Sequence, residues 1–572
     1  MAAYGALLSL MHIIETLEKH PSPPISIDEK QVQSLTQNIT FLQEFLDGYT
    51  SPFADNHEAD PLERRIADAV YAAEDVIESH VVDKIHSGST IVAYYDFYHN
   101  LQKVIEEMDL INKEVKSIPV EARTKQKPVA ALAASSPTVK ERLIVGSDEV
   151  FLDVLDKLTS DQLNRQIIPI TGMGGIGDDP PASISERRVV LKTAGLLGSL
   201  SHTRSIICEY DETASEDDKV LLSRGLRLLR TFRACDFESY SSENVFGLVN
   251  SRYLAISVHD EPEFSSSIDL LWNLQTLIVS CWKYVRVPNE IWKLHELRHL
   301  EFPEGELILP NPASEDSEIV IMENLQTLKG VEDLLLNEEV VKRIPNVKKL
   351  HLIYPSDQME GENCLSYLQC FSKLESLCCL TSNQSGDFWM RINFPNSIKK
   401  LVVANILEDI LPKIGSLPFL EKLILRNGVF RTGKWETIEG QFQKLKFLLL
   451  WFCDGLVNWI VSDSSHFPLL QELSLDHLSE LEEIPSEVGE IATLKSISLN
   501  YCSEAVVESA KKIEKEREDL YGEQLDLRVR YKKMPKTVMA MGRCDEDERR
   551  DEPEVGVAVG WSRMKVIFLK LC

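Results

Sequence analysis

Apolar residues recur along this chain in two rhythms, and the change of rhythm divides it. Over residues 1–118 the spacing is helical. Leu7, Leu10, Ile14 and Leu17 share one face, and Val32, Leu35, Ile39, Leu42, Leu46 and Tyr49 alternate steps of three and four. Ser26 and Glu29 precede that second stripe with the spacing of a capping box. Phe97, Leu101, Val104, Met108, Ile111 and Val115 repeat the pattern. Four such stripes on short connections predict an antiparallel four-helix bundle.

From 222 to 503 the rhythm changes. The pattern L-x-x-L-x-x-L-x-L recurs, as in LWNLQTLIV (271–279), FPLLQELSL (467–475) and IATLKSISL (491–499). Its steps run from 22 to 28 residues, within the ~20–29 of leucine-rich repeats. Each turn of such a solenoid adds one short strand to a parallel concave sheet and buries its leucines against its neighbours. The predicted fold is therefore α plus an α/β solenoid, a bundle followed by a leucine-rich-repeat horseshoe. Cys453 and Cys502 follow the strand pattern where a repeat buries a turn residue, and Cys378-Cys379 should lie half in the core and half at the surface. Residues 504–530 read as a closing charged helix, and 531–572, aperiodic and rich in mixed charge, as a disordered tail.

Between the rhythms lies a linker, 119–147, rich in Ala, Lys, Ser and Pro, and then 148–221, where organisation breaks down. IIPITGMGGIGDDPPA (167–182) begins as a strand running into a phosphate loop. Gly172, Gly174, Gly175 and Gly177 are spaced to cradle phosphate with backbone N–H groups. Asp178 and Asp179 stand where the ammonium and the Mg²⁺-binding hydroxyl belong, and Pro180-Pro181 disfavours the helix that should follow. The stretch from Asp178 to Leu221 holds only 44 residues, too few for a nucleotide domain of ~100–150 residues. The segment reads as a truncated nucleotide-binding remnant, with no functional nucleotide site and no cofactor.

Charge sharpens the picture. Ninety acidic against 61 basic residues give −29, which disfavours nucleic-acid binding by phosphate neutralisation and favours basic partners. No uncharged apolar run approaches the ~18 residues of a membrane span, the N-terminus lacks a basic leader, and eleven cysteines without C-x-x-C pairs suit reduced thiols. A soluble cytoplasmic protein is expected, or one peripheral at the plasma membrane without stable insertion. No histidine has ligand spacing, so no metal site is expected, and no motif suggests an enzyme.

Two constellations stand out. Glu74, Asp75 and Glu78 share a helix face. The residue after each repeat's second apolar position forms a column: Arg230, Arg252, Gln275, Arg298, Gln326 and Lys348, ended by Glu375 and flanked by Arg227 and Arg233. Stacked ~4.8 Å apart, these side chains make a basic strip. On spacing alone the acidic set reads as a solvated ridge of the bundle, and the basic strip is equally a solvated edge of the solenoid.

Taken together, the chain resembles plant coiled-coil nucleotide-binding leucine-rich-repeat immune receptors of the late-blight-resistance type, with an Rx-like N-terminal bundle. Ala73–Glu78 (AEDVIE) resembles the family's EDVID motif, IIPITGMGGIG its phosphate loop, and the repeats with SAKKIEKEREDL its C-terminal half. The Lys-Thr pair, the Mg²⁺-binding acids and the Met-His-Asp signature have no counterpart. Val258-His259-Asp260, on a repeat strand, reads as a solvent-facing chance match. The resemblance implies an interaction protein of plant immunity that acts in disease resistance and the hypersensitive response. It implies that the concave repeat surface recognises pathogen effectors or guarded host proteins, and that the acidic motif docks on an arginine cluster of the repeats. In intact relatives ADP–ATP exchange drives assembly. Without that module, this chain would act as a decoy, regulate intact relatives, or have no activity. The alternative is a complete ATP/ADP-switched receptor whose nucleotide domain is missing through gene-model or splicing truncation.

Overall fold

The computed structural model describes residues 2–49, 60–88, 91–117, 188–191, 203–208, 226–234, 240–258, 261–281, 283–303, 306–311, 320–355, 364–382, 386–522 and 525–530. The linker, the glycine loop with Asp178 and Asp179, His259-Asp260 and the tail 531–572 lie outside them.

The helical stripes form four helices: α1 (Ala2–Lys19), α2 (Glu29–Gly48), α3 (Pro61–Ser87) and α4 (Ile91–Ser117). Leu7, Leu10, Leu35, Ile39, Val70, Ile77, Leu101 and Met108 are fully buried in their shared core. The capping box is not used. Asp28 caps α2 instead, its carboxylate accepting the Lys30 N–H at 3.0 Å and the Gln31 N–H at 3.4 Å. A cap must stand directly before the first turn to reach its free amides, and Ser26 stands two residues too early. Asp60 does the same for α3 and also accepts the Tyr49 hydroxyl at 2.8 Å, which ties the end of α2 to the start of α3.

The repeats build a 17-stranded sheet in which every described pair is parallel. Leucines keep one register from rung to rung, as in Leu254, Leu277, Leu300 and Leu328, and all four point into the core. The sheet starts earlier than the periodicity suggests. Strands β1 (Arg188–Leu191) and β2 (Ser205–Cys208) precede β3 (Thr231–Ala234), β4 (Tyr253–Ser257) and β5 (Thr276–Ser280), with Ile206 beside Phe232. Part of 148–221 therefore belongs to the solenoid and not to a remnant or connector. Four-residue strands without a leading L-x-x-L carry too little pattern to stand out. Val258, just past β4, is buried in the repeat core and does not face solvent.

The other end also differs. Helix α5 (Glu504–Tyr521), capped by Ser503, stops at Gly522 in the left-handed region, φ +66°. A further strand, Asp526–Arg530, then pairs with Ser496–Asn500. The 504–530 segment is thus helix and strand. Arg517 of α5 is buried and donates to the Gly489 and Ile491 carbonyls at 2.9 and 2.8 Å, which closes the core of the last repeats.

Where strands end, the chain turns through left-handed residues: Asp333, Asn405, Asn427, Phe452, His477 and Tyr501, with φ between +47° and +55°. Phe452, His477 and Tyr501 stack with centroids 4.0 and 4.5 Å apart. Cys453 and Cys502 sit just beyond, and burial pushes their thiols up to about 12 and about 11. Cys379 faces the core as expected. Cys378 is buried as well, against Val402, Ile424 and Leu449 on the opposite face of the sheet, so the pair has no surface half.

Candidate functional site

The basic column exists as a stack of rungs. The Arg230 amide donates to the Arg204 carbonyl, Arg252 to Arg230, Gln275 to Arg252, Arg298 to Gln275, Gln326 to Arg298 and Lys348 to Gln326, each at 2.8 Å. Each residue leads its strand into the sheet, so its side chain stands on the sheet's entry edge. The α1–α3 face of the bundle lies against the first of these rungs.

Three carboxylates of α3 meet three guanidiniums there. Arg204 pairs with Asp75 and Glu78. Arg230 reaches Glu74 at 2.9 Å and Glu78 at 2.8 Å, and Arg252 comes within 4.0 Å of Glu78. Glu74 and Glu78 are 1% and 3% exposed in their side chains, so this is an ion cluster out of water. Burial works against the Glu74 charge, but Arg230, the neighbouring Ser9 and Arg204 hold its carboxyl below the usual range. Burial and the crowding of Arg230 lower Arg204 to about 10 and Arg252 to about 9. Both remain cations at neutral pH. Arg298 lies outside the cluster, with Glu296 as its neighbouring carboxylate.

Apolar and polar contacts extend the junction in both directions. Val249 and Trp272 of the repeats pack in the same apolar cluster as the bundle core. Arg230 donates to Ser9 at 2.9 Å, Asn250 donates to the Glu78 carbonyl at 3.1 Å, and Gln275 meets His12 at 3.2 Å. Arg227 pairs with Asp83, and His86 reaches the Gly247 carbonyl. At the far end of α1, His20 packs edge-on against Trp272 and His295.

Arg204 falls outside the sequence-derived column because the periodic pattern starts only at 222. Its signal is nevertheless present: Arg204-Ser-Ile-Ile matches Arg230-Thr-Phe-Arg and Arg252-Tyr-Leu-Ala in register. Asn250 and Trp272 carry no pattern of their own, since a buried polar or aromatic turn residue looks the same with or without a partner.

The family described as leucine-rich repeat region matches residues 202–543, more than half the chain. The chain belongs to the leucine-rich-repeat proteins. Among relatives, it is 34% identical over 281 residues to a putative late blight resistance protein homolog of Solanum demissum, covering 46% of this chain and 34% of that one. It is 32% identical over 286 residues to late blight resistance protein R1-A of the same species, covering 48% and 21%. The chain thus spans about a third or less of the length of these curated relatives. A leucine-rich-repeat protein of Leptospira interrogans, at 16% identity and a TM-score of 0.33, covers 61% of this chain and 96% of its own.

This leucine-rich-repeat protein has another apolar cluster in its middle rungs, buried on the sheet face opposite the repeat core. There Cys378, Val402, Ile424 and Leu449 form an apolar strip bordered by Leu380, Phe447 and Trp451. Lys422 lies 4.1 Å over the Phe447 ring and Arg426 5.5 Å over Trp451. Among the described residues no cluster of three potential metal ligands occurs, and no helix is long and apolar enough to cross a membrane.

Proposed function

We propose that this protein is a non-catalytic, disease-resistance receptor-like protein in which the repeats hold a signalling bundle at their N-terminal rungs and offer their concave face to a pathogen effector or guarded host protein. The observation that carries this reading is the buried cluster of Glu74, Asp75 and Glu78 with Arg204, Arg230 and Arg252. A buried ion cluster is expensive to desolvate and contributes little net stability against an apolar alternative. It does confer a specific, reversible fit, which is what a releasable contact needs. The similarity to late blight resistance proteins supports the disease-resistance setting.

Transient expression in leaf tissue tests the reading. Glu74→Lys/Glu78→Lys, which frees the bundle, is expected to raise cell death, or to alter the cell death triggered by an intact relative, compared with the unaltered chain. Identical behaviour of the two chains at equal protein level would remove the bundle from signalling.

Nucleotide has no part in this proposal, because Asp178 and Asp179 replace the Lys and the hydroxyl of the phosphate loop. Two carboxylates at those positions repel a polyphosphate. Titration calorimetry with millimolar Mg²⁺-ATP or ADP is expected to give no saturable heat. Saturable binding would favour the ATP/ADP-switched receptor instead.

A further inference from the structure

The ion cluster occupies one end of the dock. The other end is closed by two histidines, one from each side. His20, just past α1, and His295, in the turn before the strand His299–Glu301, face each other with ring centroids 5.3 Å apart at 84°. The Trp272 ring stands 6.3 Å from His20, and its own burial, 6% exposed, depends on the bundle cluster in which it packs.

The charged groups around this pair do not welcome two more protons. From the bundle come Lys19, engaged with Glu15 at 3.4 Å, and His12, which meets Gln275. From the repeats come Arg298, Glu296 and Lys293. Glu296 is the nearby carboxylate, but burial pushes its carboxyl up from the ordinary value, with Arg298 and Lys19 only partly offsetting this, so its charge is a weak counterweight to two imidazoliums. Lys293 lies near Asp269 and Glu290. The Nδ1 atom of His20 accepts the Ser22 N–H at 3.1 Å, so placing a proton there breaks that bond. Burial and the facing His295 hold His20 below the ordinary histidine value of 6.5, and burial does the same for His295.

We propose that His20 and His295 form a proton-sensitive latch: neutral, they let α1 close on the repeats; charged, they repel and open that end of the dock. The sign follows from linkage. A histidine that is harder to protonate when docked contributes its full share above pH 6.5 and loses it as pH falls below that value. By pH 5.5 each latch histidine lowers the docking constant by at most about tenfold, and the pair by at most about a hundredfold. Within the ion cluster, Glu74 keeps its charge through this window, because, against its burial, Arg230 and Arg204 leave it below its ordinary value of 4.5. His80 also sits below 6.5 but stacks on Phe97 inside the bundle, so its titration loosens the bundle and not the dock.

The inference rests on the docked arrangement of the proposed function, and one measurement on the full chain separates the two. Hydroxyl-radical footprinting reads Trp272 as reporter of the dock and Phe45 as reporter of the bundle core. At pH 7.5 Trp272 should be protected, and by pH 5.5 its oxidation should rise several-fold while Phe45 stays protected. His20→Gln/His295→Gln should remove that rise. His295→Lys, with a fixed charge, should expose Trp272 already at pH 7.5. Protection that ignores pH in the unaltered chain, or a His295→Lys chain that stays closed, overturns the latch. Trp272 exposed at pH 7.5 in the unaltered chain overturns the dock itself.

Discussion

Glu78→Lys is expected to open the dock at neutral pH. Glu78 is 3% exposed and its carboxylate contacts Arg204, Arg230 and Arg252. Removing one partner of a buried ion pair costs about 3–5 kcal/mol, because the remaining charges stay buried without compensation. Here a fourth cation would replace the group that faces all three. Trp272 should become oxidisable in the full chain with Phe45 still protected. Adding Arg230→Glu should restore part of the protection, since a carboxylate would again face the introduced ammonium. A Glu78→Lys chain whose Trp272 stays protected would show that apolar packing of Val249 and Trp272 holds the bundle without the charges.

Gly455→Ala is expected to be the most damaging small change in the repeats. Gly455 has φ +75°, and a methyl there would lie 2.6 Å from the Phe430 carbonyl oxygen of the previous rung. Left-handed backbone costs a side chain about 1–2 kcal/mol, and overpacking adds about 1–3 kcal/mol. The solenoid's denaturation midpoint should fall accordingly. Gly440→Ala separates the two contributions, since Gly440 has φ +86° but nothing within 4 Å of the added methyl. It should show the backbone penalty alone. Equal losses at the two sites would mean that the approach to Phe430 relaxes freely.

The repeats are legible in sequence because each rung must bury the same two or three apolar residues, and burial imposes a period. The first rungs are not, because β1 and β2 are four residues long and show no such run. Missing them also hides Arg204, the cation that carries Asp75. Arg298 belongs to the column as well, but it stands outside the group of Arg204, Arg230 and Arg252, with Glu296 as a neighbouring carboxylate. The end of α5 turns on a single glycine, Gly522, whose left-handed conformation admits a last strand after a run that otherwise reads as helix. The cap of α2 shows the limit of a motif. Ser26 and Glu29 satisfy the pattern, while Asp28 has the position.

One carboxyl group touching three consecutive rungs has a mechanical consequence. Successive rungs of a solenoid behave as coupled springs, each joined mainly to its neighbours. Glu78 acts as a rivet across the rungs led by Arg204, Arg230 and Arg252, and it fixes their pitch relative to one another. While the rivet holds, a strain arriving from the concave surface meets a stiff block at this end of the horseshoe. Once it fails, all three rungs gain compliance in the same event. Release of the bundle is therefore expected to be a threshold process, insensitive to small distortions of the repeats and abrupt beyond a critical one.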